Sequence, residues 1–204
     1  MNSKQHWENI YQTKKPEEVS WTQPVPVTSL NFIRKLNLPK ASRIIDIGGG
    51  DSKLVDHLFD EGNTDLTVLD ISEHAIERAQ ARLGPRHDKV QWIVGDLTLV
   101  KLPSVYDLWH DRAAFHFLIS PGDVELYVSL LRNSVVLGGH AIIATFSTAG
   151  PNKCSGLSIT QYDEHTLATL LLPDFTLIES LTEDHVTPFG TKQNFLFCLF
   201  RKQR

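Results

Sequence analysis

The sequence has few cysteines, no excess of basic residues and no long apolar run. Its two cysteines, Cys154 and Cys198, exclude a fold held together by a framework of disulfides. Lysine and arginine number 20 against 24 aspartate and glutamate residues, so the formal net charge is −4 and we expect no nucleic-acid partner. No apolar stretch reaches the roughly 18 residues that span a bilayer, and the N-terminus lacks the pattern of a signal peptide. We therefore predict a cytoplasmic protein that has no membrane partner.

The composition is that of an ordinary globular protein. Hydrophobic residues make up 41% and charged residues 22% of the 204 positions, which excludes a disordered chain. A chain of this length buries on the order of 70% of its unfolded surface on folding, so its core needs no structural metal. The histidines number 9, but none has a second histidine and a third ligand at the spacing of a metal site. We predict one domain over residues 1–204 and no bound metal.

Short β-branched runs alternate with stretches of helical spacing, as they do in βαβ units. The predicted strands are residues 43–47, 66–70, 90–94, 105–110 and 139–146. Predicted helices begin near Lys53, after Ser72 and near Leu126, and the last of them is expected to end before Gly138-Gly139. This alternation predicts a doubly wound α/β fold with a mostly parallel sheet.

The two ends of the chain depart from this alternation. Residues 174–186 and 193–201 predict two long strands joined by a turn at residues 187–190, which makes a C-terminal antiparallel hairpin. The hairpin brings the predicted sheet to seven strands. Residues 1–40 are an N-terminal extension and residues 41–204 the core. Within the extension, helical patterns at 4–12 and 28–36 flank an extended stretch from Trp21 to Pro26.

A glycine-rich loop joins the first predicted strand to the first helix of the core. Asp46 lies near the end of the strand, and Gly48, Gly49 and Gly50 follow it. Such a loop lets a ligand approach the backbone at the carboxyl end of the sheet, although a tight structural turn would have the same composition. The Gly-x-Gly-x-x-Gly pattern fails because Lys53 stands three residues after Gly50, which counts against an NAD-type oxidoreductase.

The next two predicted strands also end in carboxylates. Asp70 ends the second strand, where an acid can accept hydrogen bonds from a ribose diol, and Ile71 offers an apolar face to a purine. Asp96 and Leu97 follow the third strand, where the acid can accept from an exocyclic amine. Asp70 could instead be an acid at a helix N-terminus. Three acids at three consecutive strand ends favour a shared ligand site.

These motifs resemble those of class I S-adenosylmethionine-dependent methyltransferases. The matching stretches are Ile44–Gly50, Val68–Ser72, Gly95–Leu97 and Leu137–His140, in the order found in that family. The resemblance implies a Rossmann-like fold, S-adenosyl-L-methionine as cofactor and S-adenosyl-L-homocysteine as product. It also implies that Gly48–Gly50 face the methionine portion, Asp70 the ribose, Ile71 and Leu97 the adenine, and Asp96 the adenine amine.

A more local resemblance concerns the N-terminus. His6–Tyr11 followed by Glu18–Trp21 resembles the opening of bacterial methyltransferases of undefined substrate. It is distantly similar to the opening of the eukaryotic lysine methyltransferases of elongation factor 1A and citrate synthase. Those enzymes have an Asp-Lys-Gly-Thr type segment after the fourth strand, whereas this chain has His110–His116 there, without the Lys or Gly. The acceptor is therefore an unidentified small molecule or protein lysine.

The segment after the fourth strand supplies the catalytic candidates. His110 is expected to lie against the cofactor and Asp111 to orient or deprotonate the acceptor. Alternatively, Asp111 and Arg112 form a structural ion pair. Cys154, among turn residues after the fifth strand, is either a contact for a soft substrate or a small loop residue.

Three aromatic residues of the extension have two interpretations. We expect Trp21 to cap the cofactor, and Trp7 and Tyr11 to pack the extension against the core because their spacing suits one helix face. The predicted function is methyl transfer from S-adenosylmethionine. The alternatives are an NAD-type oxidoreductase and a non-catalytic cofactor-binding module.

Overall fold

A seven-stranded sheet with the order β3-β2-β1-β4-β5-β9-β8 organises the chain. The computed structural model describes residues 3–204, so Met1 and Asn2 of the predicted extension lie outside the described residues. β1 to β5 are parallel and β9 and β8 run antiparallel at one edge, which confirms the mostly parallel sheet and the C-terminal hairpin. The strands are β1 Arg43–Ile47, β2 Asp65–Asp70, β3 Val90–Val94, β4 Tyr106–Arg112, β5 Val135–Phe146, β8 Phe175–Val186 and β9 Lys192–Lys202.

Six α-helices accompany the sheet in residues 3–204. They are α1 Ser3–Thr13, α2 Val27–Lys35, α3 Leu54–Asp60, α4 Glu73–Leu83, α5 Pro121–Ser134 and α6 Glu164–Leu171. The side chain of Ser72 accepts a hydrogen bond from the amide of Ala75, which fixes the start of α4 as the sequence predicts. Within the described residues, no helix is both long and apolar enough to cross a membrane.

The core has two parts, one on each face of the sheet. Consecutive strand residues point to opposite faces, so Leu108 and Trp109 of β4 belong to different hydrophobic clusters. The cluster with Leu108 includes residues of α2 and α3, and the cluster with Trp109 includes residues of α5 and α6. This alternation also decides which of the residues at the end of β4 face which side.

The predicted end of α5 at Gly138-Gly139 is wrong. The helix ends at Ser134, and both glycines lie inside β5, where Gly138 has φ +78°. The β-branched pair Val135 and Val136 favours a strand, and the pairing of β4 with β5 shifts register near this point. Leu126, predicted on the apolar face of α5, is 49% exposed.

Two elements appear that the sequence patterns do not predict. A two-stranded antiparallel unit of β6 Lys153–Cys154 and β7 Leu157–Ser158 follows β5. Helix α6 comes next, and Asp163 caps it by accepting from the amide of Thr166. The small β6–β7 unit matters for the site because it brings Cys154 to the carboxyl edge of the sheet.

Candidate active site

A cleft with two lobes lies at the carboxyl ends of the central parallel strands. The first lobe is a cavity of about 170 Å³ and the second a cavity of about 120 Å³. Four residues line both lobes: Tyr11, Trp21, Gly48 and Arg112. The two lobes are therefore adjacent and share part of their walls, at the edge where doubly wound sheets bind ligands.

Asp70 lines the first lobe and is 5% exposed. Its Oδ1 accepts from the amide of Ser72 at 2.8 Å. Burial raises the pKa of Asp70 to about 7, even though hydrogen bonds from the amides of Ser72 and Gly50 favour the anion. No cationic side chain in residues 3–204 lies within 4.0 Å of the Asp70 carboxylate. Further hydrogen-bond donors would therefore stabilise its charged form.

The glycine loop brings the backbone close to this carboxylate. Gly48 and Gly50 have φ of +61° and +50°, which favours glycine. A Cβ on Gly50 would lie 2.5 Å from Tyr11 Oη and 3.2 Å from Asp70 Oδ2. A Cβ on Gly48 would lie 2.6 Å from the Cβ of Ala114. The loop is therefore packed on both sides, and Gly49 lies in the wall of the second lobe.

Ile71, Asp96 and Leu97 line the first lobe beside Asp70. The structure thus brings together the residues at the ends of β2 and β3 that the sequence predicts at one site. Asp96 Oδ1 accepts from the amide and hydroxyl of Thr98, at 2.8 and 2.7 Å. These bonds orient the carboxylate of Asp96. They involve Oδ1 alone, and Oδ2 accepts no hydrogen bond from the described part of the chain.

Asp46 and His110 lie together in the second lobe. His110 Nδ1 donates to Asp46 Oδ1 at 2.7 Å, and His110 Nε2 lies 2.9 Å from Ser29 Oγ of α2. Both ring nitrogens are therefore engaged. The parallel register aligns Asp46 of β1 with His110 of β4, which explains their contact.

Asp111 does not face the cleft, which contradicts its predicted contact with an acceptor. Its side chain is fully buried on the other face of β4. Oδ1 accepts from the amides of Ala114 and Phe115, and Oδ2 accepts from Tyr127 Oη at 2.8 Å. Burial raises the pKa of Asp111 to about 6 against these hydrogen bonds.

The predicted ion pair between Asp111 and Arg112 is also absent from residues 3–204. The two side chains point to opposite faces of β4, because residues alternate along a strand. Arg112 shares its face with His110 and lines both lobes. Its Nη1 donates to the carbonyl of Trp21 at 3.1 Å, and its guanidinium lies 4.6 Å from the ring centre of Phe195.

An aromatic cluster closes the cleft. Trp7, Tyr11 and Trp21 all line the first lobe, so Trp7 and Tyr11 face the cleft as well as packing against other aromatic rings. The ring centres of Trp7 and Trp21 are 5.7 Å apart, and Trp7 lies 5.0 Å from Phe117. The i, i+4 spacing of Trp7 and Tyr11 on α1 brings both rings to the cleft.

Glu8 fastens α1 to the core, a role that the sequence patterns do not predict. Its carboxylate accepts from Ser72 Oγ, from the amides of Glu73 and His74, and from His74 Nδ1. Burial acts to raise the pKa of Glu8, but these hydrogen bonds outweigh burial and lower the pKa to about 2. The amides belong to the first turn of α4, which carries unpaired donors and a positive dipole end.

A protein-family model described as a methyltransferase domain matches residues 44–139. This stretch contains all of β1 except Arg43, all of β2 to β4, the glycine loop, Asp70 and Asp96. This match covers 96 of the 204 residues, and together with the fold it supports a class I S-adenosylmethionine-dependent methyltransferase.

Curated relatives match parts of the chain. It is 31% identical over 104 residues to the malonyl-[acyl-carrier protein] O-methyltransferase of Anoxybacillus flavithermus, covering 50% of this chain and 38% of that protein. It is 28% identical over 123 residues to the eEF1A lysine and N-terminal methyltransferase of Mus musculus, covering 60% of this chain and 16% of that protein. The chain therefore spans well under half the length of these relatives.

Solved structures match nearly the whole chain. A SAM-dependent methyltransferase from Anabaena variabilis has a TM-score of 0.79 at 14% identity, covering 100% of this chain and 96% of that one. The N-methyltransferase NodS from Bradyrhizobium japonicum, solved with S-adenosyl-L-homocysteine, has a TM-score of 0.76 at 18% identity, with 100% of both chains covered. At these identities the likeness shows the fold alone.

The first prediction concerns the packing of Gly48. Gly48→Ala places a methyl group against Ala114 at a positive φ, so we expect the free energy of unfolding to fall by about 2 kcal/mol or more. Gly62→Ala is the control, because Gly62 has φ +87° and nothing within 4 Å of its added Cβ. Urea denaturation measures both. Equal losses in the two variants would contradict the close approach at Gly48.

The second prediction concerns the Asp111 network. Tyr127→Phe removes the donor to Asp111 Oδ2 and the acceptor of Trp109 Nε1, which lies 3.0 Å from Tyr127 Oη. We expect a loss of about 2 kcal/mol in stability, because both groups are buried, with unchanged affinity for S-adenosylhomocysteine. Tyr106→Phe, which removes a buried hydroxyl outside this network, is the control. Weaker ligand binding with unchanged stability would place the network at the ligand site instead.

Proposed function

We propose that this domain binds S-adenosylmethionine across both lobes and transfers its methyl group to an unidentified small-molecule or protein acceptor. The observation that carries the proposal is the carboxylate of Asp70. It is buried beside the glycine loop, and the pKa of its carboxyl group is raised to about 7 mainly by burial. Two ribose hydroxyls are donors that would stabilise its charged form.

We assign the remaining contacts of the adenosine part to the first lobe. Ile71 and Leu97 supply apolar surface for adenine, and Asp96 supplies an acceptor for its amine. Trp21 caps this lobe together with Trp7 and Tyr11. The first 40 residues therefore act as a capping extension of a single domain, with α1 held in place by Glu8.

We assign the methionine part of the cofactor to Gly48–Gly50 and the second lobe. Asp46 and His110 form its polar wall, and their mutual hydrogen bond fixes the ring of His110. His110 thereby positions the cofactor. Its ring nitrogens already have the partners Asp46 and Ser29, which leaves it poorly suited to accept a proton from an acceptor.

Asp111 has a positioning role in this proposal. Its bonds to the amides of Ala114 and Phe115 hold the turn in which Ala113 has φ +67°. Ala113 and Ala114 both line the first lobe, so the turn shapes the cleft wall. A residue such as alanine keeps a left-handed conformation only where its surroundings enforce it.

The bound cofactor supplies an electrophilic methyl group on a sulfonium. The chain holds the cofactor in position. The glycine loop and Asp70 contact one side of the cofactor, and the aromatic cluster excludes water from the other side. In-line methyl transfer needs donor and acceptor held collinear, and a positioned pair reacts as though highly concentrated. Trp7, Phe117 and Cys154 line the end of the first lobe where an acceptor would enter.

The relatives leave the acceptor class open. One is named for methylation of an acyl-carrier substrate at oxygen and another for methylation of lysine and an N-terminus. We also propose a cytoplasmic location, since both cysteines are free and buried, which suits a reducing compartment.

A transfer assay tests the proposed function. Methyl-labelled S-adenosylmethionine is incubated with the protein and a fractionated cell lysate, and label is followed into protein and low-mass pools. We expect transfer by the parent, and a loss of about 10- to 100-fold for Asp70→Ala at limiting cofactor, because a charge-assisted contact is removed. Asp65→Ala, at the exposed opposite end of β2, is the control. No transfer by the parent, or full transfer by Asp70→Ala, would contradict the proposal.

Cofactor affinity should also depend on pH through Asp70. Its pKa is about 7 in the free protein, and hydroxyl donors lower it in the complex because they favour the anion. Below pH 7, binding must release a proton, so affinity for S-adenosylhomocysteine should fall by up to about tenfold per pH unit. Calorimetry between pH 5 and 8 measures this slope, and Asp70→Asn should flatten it. A flat profile in the parent would place the ribose elsewhere.

A further inference from the structure

Arg112 lines both lobes of the cleft, and one edge of its guanidinium is unpaired. Its Nε and Nη2 are buried and have no hydrogen-bond partner in residues 3–204, whereas Nη1 donates to the Trp21 carbonyl. Nε and Nη2 form the side of the guanidinium that binds a carboxylate with two parallel hydrogen bonds. An arginine whose recognition edge is buried and unpaired is an observation that the cofactor contacts above do not explain.

Arg82 shows what this edge binds in the same protein. Its Nε lies 3.0 Å from Asp56 Oδ1, and its Nη2 lies 2.7 Å from Asp56 Oδ2. Arg82 thus pairs with a carboxylate from α3 through the same two nitrogens that are unpaired in Arg112. The difference is that no described residue brings a carboxylate within 4.0 Å of Arg112.

The charges around Arg112 leave it cationic. Burial lowers the pKa of Arg112 to about 10, while Glu183, Cys154 and Asp46 act in the opposite direction. Glu183 uses Oε2 to accept from the hydroxyl of Thr28, and Asp46 is bonded to His110. Glu183 Oε1 is itself buried without a partner among the described residues, so these two opposite charges are near but not paired. A buried cation of this kind favours an anionic ligand.

The guanidinium lies on the side of the cleft away from the adenosine residues. Asp70 and Asp96 follow β2 and β3, whereas Arg112 ends β4 and stacks on Phe195 of β9, with β5 between these two strands. Cys154, which lines the first lobe, belongs to the β6–β7 unit after β5. This end of the cleft is where we have placed the acceptor.

Four titratable side chains at or near this end are poorly suited to remove a proton. Burial raises the pKa of the Cys154 thiol to about 11. Burial, together with the charge of Arg112, lowers the pKa of nearby His116 to about 3, and its Nδ1 accepts from the amide of Phe146. Asp111 faces the other side of β4, and both nitrogens of His110 are engaged. An acceptor that arrives already deprotonated needs no base.

We propose that the methyl acceptor is a carboxylate that binds the Nε–Nη2 edge of Arg112 and leaves as a methyl ester; this inference rests on the proposed function. A lone pair of a carboxylate oxygen forms the bond to the methyl carbon, and the bond from that carbon to the sulfonium sulfur breaks. The electron pair of the broken bond stays on sulfur, giving the neutral thioether of S-adenosylhomocysteine. No proton moves, and the carboxylate and sulfonium charges cancel.

The alternative acceptors fit this end less well. A lysine or other amine is a cation at neutral pH, so Arg112 repels it, and it must lose a proton before it can attack. A thiolate is an anion, but its single sulfur cannot use the two parallel donors of the guanidinium. The unpaired edge favours a carboxylate, and the poor suitability of Cys154, His116 and His110 as bases is a separate reason.

The chemical stability of the product tests this inference even while the acceptor is unidentified. Methyl esters release their label as volatile methanol in mild alkali, whereas N-methyl and S-methyl groups keep it. After incubation of the protein with methyl-labelled S-adenosylmethionine and lysate, we expect most transferred label to become volatile. Label that is transferred but stable to alkali overturns the carboxylate acceptor while leaving methyl transfer intact. If no label is transferred at all, the proposed function fails and this inference fails with it.

Variants of Arg112 test the residue itself. Arg112→Gln should lower the alkali-labile label by about 100-fold, and Arg112→Lys, which keeps the charge but not the fork, by about tenfold. Arg86→Gln removes a surface arginine paired with Asp60 and should leave the label unchanged. Circular dichroism verifies that each variant is folded. Parent-like labelling by folded Arg112→Gln would overturn the inference.

A ligand comparison excludes the one other carboxylate that this cleft is proposed to hold, that of the amino-acid part of the cofactor. S-adenosylhomocysteine carries this carboxylate and 5′-methylthioadenosine lacks it. We expect Arg112→Gln to bind both ligands within about threefold of the parent by calorimetry. A loss of about tenfold or more for S-adenosylhomocysteine alone would show that Arg112 holds the cofactor and would overturn its assignment to the acceptor.

Discussion

The parallel pairing of β1 with both β2 and β4 is the constraint on which the site depends. It aligns Asp46 with His110 across β1 and β4, and it brings the end of β2 beside the glycine loop. Because parallel strands end at one edge, polar residues distant in sequence meet there. The buried carboxylate of Asp70 and the extension that covers it both follow from this edge.

Two buried charged residues at this edge of the sheet differ in how many of their hydrogen bonds are satisfied. Asp111 is satisfied by two amides and a tyrosine hydroxyl, so its burial stabilises a turn. Arg112, the next residue, has a hydrogen bond through one nitrogen and two nitrogens without partners in the described part of the chain. Burying an unsatisfied charge costs stability, and proteins keep such groups where a ligand uses them. Of these two adjacent residues, Asp111 therefore has a structural role and Arg112 is the candidate for ligand recognition.

Much of the fold follows from the sequence, because β1, β2 and β3 are short apolar runs with clear turn residues after them. The start of β5 could not be predicted in this way, since Gly138-Gly139 has the composition of a helix end but forms an irregular part of a strand. That Arg112 faces the cleft and Asp111 does not could be predicted from the sequence, because alternation along β4 places His110 and Arg112 on one face. The contacts of Glu8 were not, because they join α1 to α4 across 64 or more residues.

The most direct measurement is a crystal structure of the full chain with S-adenosylhomocysteine. We expect both ribose hydroxyls to lie within hydrogen-bond distance of Asp70, adenine to lie between Ile71 and Leu97, and the Nε–Nη2 edge of Arg112 to stay free of the ligand. A ligand whose ribose lies away from Asp70, or whose carboxylate pairs with Arg112, would contradict these assignments.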